Sequence, residues 1–191
     1  MENINLPSSH EIEAELNRER YKRRYRTTLR STIFALITAS AAAVLVATLF
    51  LPVLQIFGSS MNPTLQEGQI VVSIKAKELQ PGDIVAFYYG NRVLIKRYIA
   101  GPGTWVDVDA DGNVYLNEEL LDEPYLTEKA FGISDLEYPY QVPENTYFLM
   151  GDQRADSVDS RHSSVGCISR EDVVGKIVFR VWPLETMGAV N

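Results

Sequence analysis

The chain has one cysteine, two histidines and two tryptophans in 191 residues, and no charged residue between Arg30 and Glu67. A lone cysteine, Cys167, excludes an intramolecular disulfide and is expected to pack as a small apolar side chain. His10 and His162 are far apart in sequence, so neither has a histidine neighbour to suggest a metal-ligand pair. Positive charge is scarce beyond the N-terminus. Residues 1–30 hold seven Lys/Arg against five Asp/Glu; the remainder holds eleven against twenty, which makes the body acidic and the whole chain −7. An acidic body argues against nucleic acid as a partner, because phosphate binding wants a basic face. The length suits one globular domain with a small appendage.

The charge-free stretch supplies the appendage. Ile33 to Leu51 is a 19-residue apolar run. As a helix it reaches about 28 Å, the thickness of a bilayer's hydrocarbon core. We read 1–30 as a charged tail, 31–54 as a transmembrane helix ending near Pro52, and 55–191 as the globular part. Ser8 and Glu11 form a capping box, and Glu19 and Arg23 have helical pairing distance. The basic cluster from Arg18 to Arg30 puts the N-terminus in the cytoplasm and the rest outside a lipid bilayer. A cleaved signal peptide is the rival reading, but its apolar core would be shorter.

Period-2 patterning predicts strands at 70–74, 84–89 and 92–100, a short strand at 147–150 and a last one at 173–182, followed by a mobile tail. In the third, Leu94, Lys96, Tyr98 and Ala100 share one face, and Val93, Ile95, Arg97 and Ile99 the other. A strand apolar on both faces is buried on both, so it carries two cations into low-dielectric surroundings. Arg97 cannot deprotonate and should find a carboxylate. Lys96 can lose its proton. An edge-strand lysine with its ammonium in water is the plainer alternative.

Asp107, Asp109, Asp111, Gly112 and Glu118 match a calcium-loop pattern, yet both flanks alternate like strands. A β-hairpin with an acidic tip is expected there, followed by a loop-rich insertion to residue 146. The run from Gly151 to Arg161 mixes acids, arginines and serines. Asp152, Asp156 and Asp159 could bind a metal, but the interleaved Arg154 and Arg161 favour charge pairing. Neither a metal nor a cofactor is expected.

Between the apolar run and the first predicted strand lies Gly58-Ser59-Ser60-Met61-Asn62-Pro63-Thr64-Leu65. Glycine and serine permit a tight turn that presents one hydroxyl, and Pro63 restricts its neighbour. A serine needs a base. His162 is remote, whereas a neutral Lys96 is a competent one.

Three segments taken together resemble bacterial type I signal peptidases, membrane-anchored serine proteases. They are Ser60-Met61-x-Pro63-Thr64-Leu65 beyond the apolar run, Lys96-Arg97 followed by Pro102-Gly103, and Met150-Gly151-Asp152-Gln153-Arg154 continuing through Ser157, Asp159, Ser160 and Arg161. The resemblance implies a mainly β fold of coiled antiparallel sheets, with 104–146 as a non-catalytic insertion. It implies Ser60 as nucleophile, Lys96 as general base, Ser157 orienting the lysine and an Asp159–Arg161 ion pair in support. The oxyanion would lie on the Ser60 N–H, with Gly58 where some relatives carry a serine hydroxyl. Ile56, Met61, Leu94 and Ile95 would line the pockets for Ala-x-Ala residues of preprotein signal peptides, with the export machinery as a further candidate partner. Gln153 and Thr104 depart from the family's usual asparagine and aspartate. A non-catalytic assembly factor or chaperone on the same fold is the alternative, but it would be expected to lack Ser60 or Lys96.

Overall fold

The structure, a computed structural model, describes residues 9–190. The expected cap at Ser8 and the tail before it lie outside the described residues. Two compact units divide near residue 50.

The first unit is one helix, α1, Ser9–Phe50, running without a break from the charged segment through the apolar run. At about 1.5 Å per residue its 42 residues extend about 63 Å. It is long and apolar enough to cross a membrane. Near its start Glu19 accepts from Lys22 at 2.8 Å rather than pairing with Arg23. The apolar segment read as 31–54 stops sooner as a helix. Pro52 lacks the N–H that would extend the ladder, and Val53–Gln55 form strand β1 instead.

The second unit is built from β1 and eleven further strands: β2 Ile70–Ile74, β3 Ile84–Tyr89, β4 Arg92–Ala100, β5 Trp105–Val108, β6 Val114–Leu116, β7 Glu119–Leu120, β8 Tyr140–Gln141, β9 Thr146–Met150, β10 Ile168–Ser169, β11 Val173–Trp182 and β12 Gly188–Ala189. One open sheet runs β1-β2-β11-β3-β4-β9-β10, with β12 also on β11; a second runs β7-β6-β5-β8. Neighbouring strands pair antiparallel throughout, as in β3 against β4 and β5 against β6. Register shifts in the β11–β2 and β11–β3 pairings mark bulges, which increase local twist and coil the sheet. The fold is mainly β, as the resemblance implies.

Three apolar clusters hold these layers. Met61, Leu65, Val71, Ile84 and Ile177 pack beneath the 58–65 loop. Val106, Val108 and Val114, alternating along β5 and β6, join Phe148 and Met150 to bind the second sheet to the first. Val85, Phe87, Tyr98 and Leu149 fill the remaining face. Cys167 packs half-buried against the second of these clusters. The C-terminal tail departs from the expected mobility. After Pro183 the chain turns back, β12 pairs with β11 and Val190 is buried, because unpaired apolar residues there find a free stretch of β11 to cover.

Candidate active site

The loop 58–65 is fastened at both ends by backbone bonds. Ile56 N–H donates to Gln69 at 2.8 Å and Gly68 N–H to Ile56 at 2.9 Å. Within it Asn62 N–H reaches the Ser59 carbonyl and Leu65 N–H the Met61 carbonyl. Met61 and Leu65 point into the core and anchor the loop from below. Gly58 has φ +80°, a conformation that costs glycine nothing and starts the turn presenting Ser60. The Ser60 N–H donates to no acceptor among the described residues.

Strand β4 supplies the amine. Lys96 lies opposite Val85 in the β3–β4 ladder and is only 4% exposed. Its Nζ donates to Ser157 Oγ at 3.0 Å. Burial pulls its pKa from 10.5 down to about 8; Asp159 works against that fall and Arg161 assists it. The solvated edge-strand alternative is therefore excluded for the resting fold.

Ser157 in turn lies near Asp159 and helps hold its carboxyl down. Ser157 accepts from the lysine, which leaves the lone pair of a neutral amine free to face elsewhere. Burial alone would raise the Asp159 carboxyl, but the Arg161 hydrogen bonds and charge outweigh it and hold the group below the usual carboxylate range. Arg161 grips it in a fork, Nε to Oδ1 and Nη2 to Oδ2, both at 2.9 Å, and Gly151 N–H adds a bond at 2.9 Å. Arg161 also donates to the Phe131 carbonyl at 2.7 Å, so it ties the insertion to this loop.

One cleft of about 680 Å3 has Ser60, Lys96, Gly58, Ile56, Met61, Leu94 and Ile95 in its lining, so every residue expected at nucleophile, base, oxyanion and pockets borders one space. Ser157, Asp159 and Arg161 stand behind Lys96, outside that lining.

Other positioning groups gave weaker sequence signals or none. Arg97 does find a carboxylate: Nε and Nη2 donate to Asp152 at 2.8 and 2.7 Å, and the Thr64 hydroxyl shares that carboxylate. Asp152 is thus spent bracing the 58–65 loop against β4. Arg154 pairs outside its own segment, with Glu123, which is buried in an aperiodic stretch that offered no clue. Charge pairing within the 151–161 run is therefore confined to Asp159 and Arg161, and among the described residues no group of acids, histidines or cysteines could hold a metal. The calcium-loop match fails on its flanks: β5 and β6 pair as strands, and Asp109 accepts from Asn113 and Asp111.

Gly151 marks the closest approach. A Cβ there would meet Ser157 Oγ at 2.2 Å and the Ser60 carbonyl oxygen at 2.6 Å, so only glycine lets the two serine-bearing loops meet. Gln153 N–H donates to that same Ser60 carbonyl at 3.0 Å. Gln153 acts through its main chain, which explains how glutamine can stand where the resemblance leads one to expect asparagine. Thr104 likewise bonds only through its backbone, to Gly101 and Val142.

A family model for signal peptidase, peptidase S26, matches residues 29–182. Signal peptidase I of Streptococcus pneumoniae serotype 4 is 30% identical over 170 residues, covering 69% of this chain and 82% of that protein. Signal peptidase I S of Bacillus subtilis is 32% identical over 165 residues, covering 80% and 89%. Signal peptidase IB of Staphylococcus aureus is 34% identical over 146 residues, covering 66% and 75%. The crystal structure of a signal peptidase I from Enterococcus faecalis, 29% identical, aligns over 52% of this chain and 97% of that chain with a TM-score of 0.45. This chain belongs to the signal peptidase family, peptidase S26.

Proposed function

We propose that this chain is a membrane-anchored serine endopeptidase that removes signal peptides from preproteins after small residues, using Ser60 and Lys96 as a dyad. Family membership supports signal-peptide removal by a serine peptidase. The dyad rests on one observation above the others: an amine buried to 4% exposure, its pKa lowered to about 8, bordering the same cleft as a serine hydroxyl.

In the proposed chemistry the neutral amine of Lys96 takes the Ser60 proton as Oγ attacks the scissile carbonyl. The free Ser60 N–H receives the developing oxyanion, and Gly58 offers no side-chain hydroxyl to assist. The collapsing intermediate breaks the C–N bond, and Lys96 returns the proton to the departing amine. A water molecule, deprotonated by the same amine, then attacks the acyl carbon; the C–Oγ bond breaks and Lys96 returns that proton to Ser60 Oγ. Ser157 keeps the lysine aimed, and the Asp159–Arg161 pair keeps Ser157 aimed.

Two backbone edges suit an extended substrate. Among the described residues, β4 pairs with β9 only from Arg97 to Ala100, which leaves residues 92–96 without a strand neighbour on that side, and β1 pairs on one side only. These edges border the cleft, where a substrate strand would gain main-chain hydrogen bonds. Ile56, Met61, Leu94 and Ile95 would then accept the small side chains before the cut. Helix α1 serves as the anchor, with its basic end in the cytoplasm and residues 55–191 on the outer face. Sharing the bilayer with its substrates raises their effective concentration.

The deciding experiment compares cleavage of a preprotein by wild type, Ser60→Ala and Lys96→Ala as full-length proteins in detergent. Both variants are expected to be inactive and folded; retained activity in either rules out the dyad.

A further inference from the structure

The cleft carries a charge that the proposed chemistry leaves unused. Arg92 opens β4 and lines the cleft at the opposite end of the strand segment from Lys96. The two share a strand face, four residues apart, which puts their Cα atoms about 13 Å from each other. Arg92 is exposed, and its side chain makes no hydrogen bond or ion pair among the described residues. The cleft lining contains Arg92 and Lys96 and no carboxylate, although residues 31–191 hold twenty acids against eleven bases. An unpaired cation at the end of an acid-free trough, on an acidic domain, is a local reversal of sign.

An extended chain with its scissile carbonyl at Ser60 and its first residue beside Lys96 advances about 3.3 Å per residue, so four steps on its fifth residue comes level with Arg92. The long arginine stem also lets it reach back to the fourth. We infer that Arg92 is a specificity residue, favouring substrates with an acidic side chain four or five residues before the scissile bond. This rests on the cleft being the proposed substrate site.

The test uses full-length protein in a neutral detergent. Peptides with an Ala-x-Ala cleavage site, identical except for Glu, Gln or Lys at the fourth or fifth residue before the cut, are compared by kcat/KM. An exposed ion pair changes the rate about three- to fivefold, so attraction and repulsion together separate Glu from Lys about tenfold in wild type. Raising salt to about 0.5 M shrinks that ratio. Arg92→Lys keeps the order Glu over Lys, and Arg92→Glu inverts it. A Glu-to-Lys ratio that the charge swap leaves unchanged overturns the inference, whatever happens to overall activity. Failure of wild type to cut the Gln peptide would instead sink the peptidase reading and the inference with it.

Discussion

Replacing Lys96 by methionine separates the cost of a buried amine from its use. Moving a lysine from 10.5 to about 8 disfavours its charged form in the fold by about 3 kcal/mol, at about 1.4 kcal/mol per pH unit. Because the folded pKa lies below the unfolded one, this penalty is fully present below pH 8. It is relieved as pH rises towards 10.5, where the unfolded state also loses its proton. Methionine fills a similar volume without charge and gives up the bond to Ser157, worth about 1 kcal/mol. Lys96→Met should therefore be more stable than wild type by about 2 kcal/mol at pH 7, with the gap closing by pH 10.5. Urea denaturation of the full-length proteins, followed by tryptophan fluorescence across pH 7 to 10.5, measures this. Cleavage of a preprotein should be lost in the same variant. A methionine variant less stable than wild type at pH 7, or a gap that does not change with pH, refutes the claim that Lys96 is held in the fold against its preference for charge.

Wild-type kcat/KM should rise with pH through a midpoint near 8 and fall about 50-fold from pH 8 to pH 6, as the base becomes protonated. A flat profile over that range denies Lys96 the role of base. Ser157→Ala should lower kcat by about 100-fold with KM little changed, because it removes the group that aims the amine; a KM effect alone would place Ser157 in substrate binding instead. Asp152→Ala should cost about 3–5 kcal/mol in urea denaturation by stranding Arg97, which is 1% exposed. Gly151→Ala should abolish cleavage, although this residue lies outside the cleft lining, because its methyl group would collide with both Ser157 and the Ser60 carbonyl; near-wild-type activity would mean the two loops need not meet.

Much of the fold was legible because strand periodicity survives without knowledge of partners. The strands at 70–74, 84–89, 92–100 and 173–182 follow alternation or apolar runs closed by Gly, Pro or Asn. β1 was not legible, since three residues merging with an apolar run have no period of their own, and only pairing with β2 makes them a strand. The short β7, β8 and β12 were hidden for the same reason.

The local chemistry of the chain belongs to the sequence. An exposed turn carrying Ser60, a doubly apolar strand carrying Lys96 and Arg97, and a charge-free run of bilayer length all follow from nearest-neighbour patterns. Partner choice does not. That Arg97 takes Asp152, that Arg154 takes Glu123 from an aperiodic segment, and that Gly151 yields its space to Ser60 and Ser157 were decided by the tertiary structure. A buried charge must be neutralised wherever it lies, but which carboxylate answers depends on how distant strands stack, and that is a property of the assembled sheets.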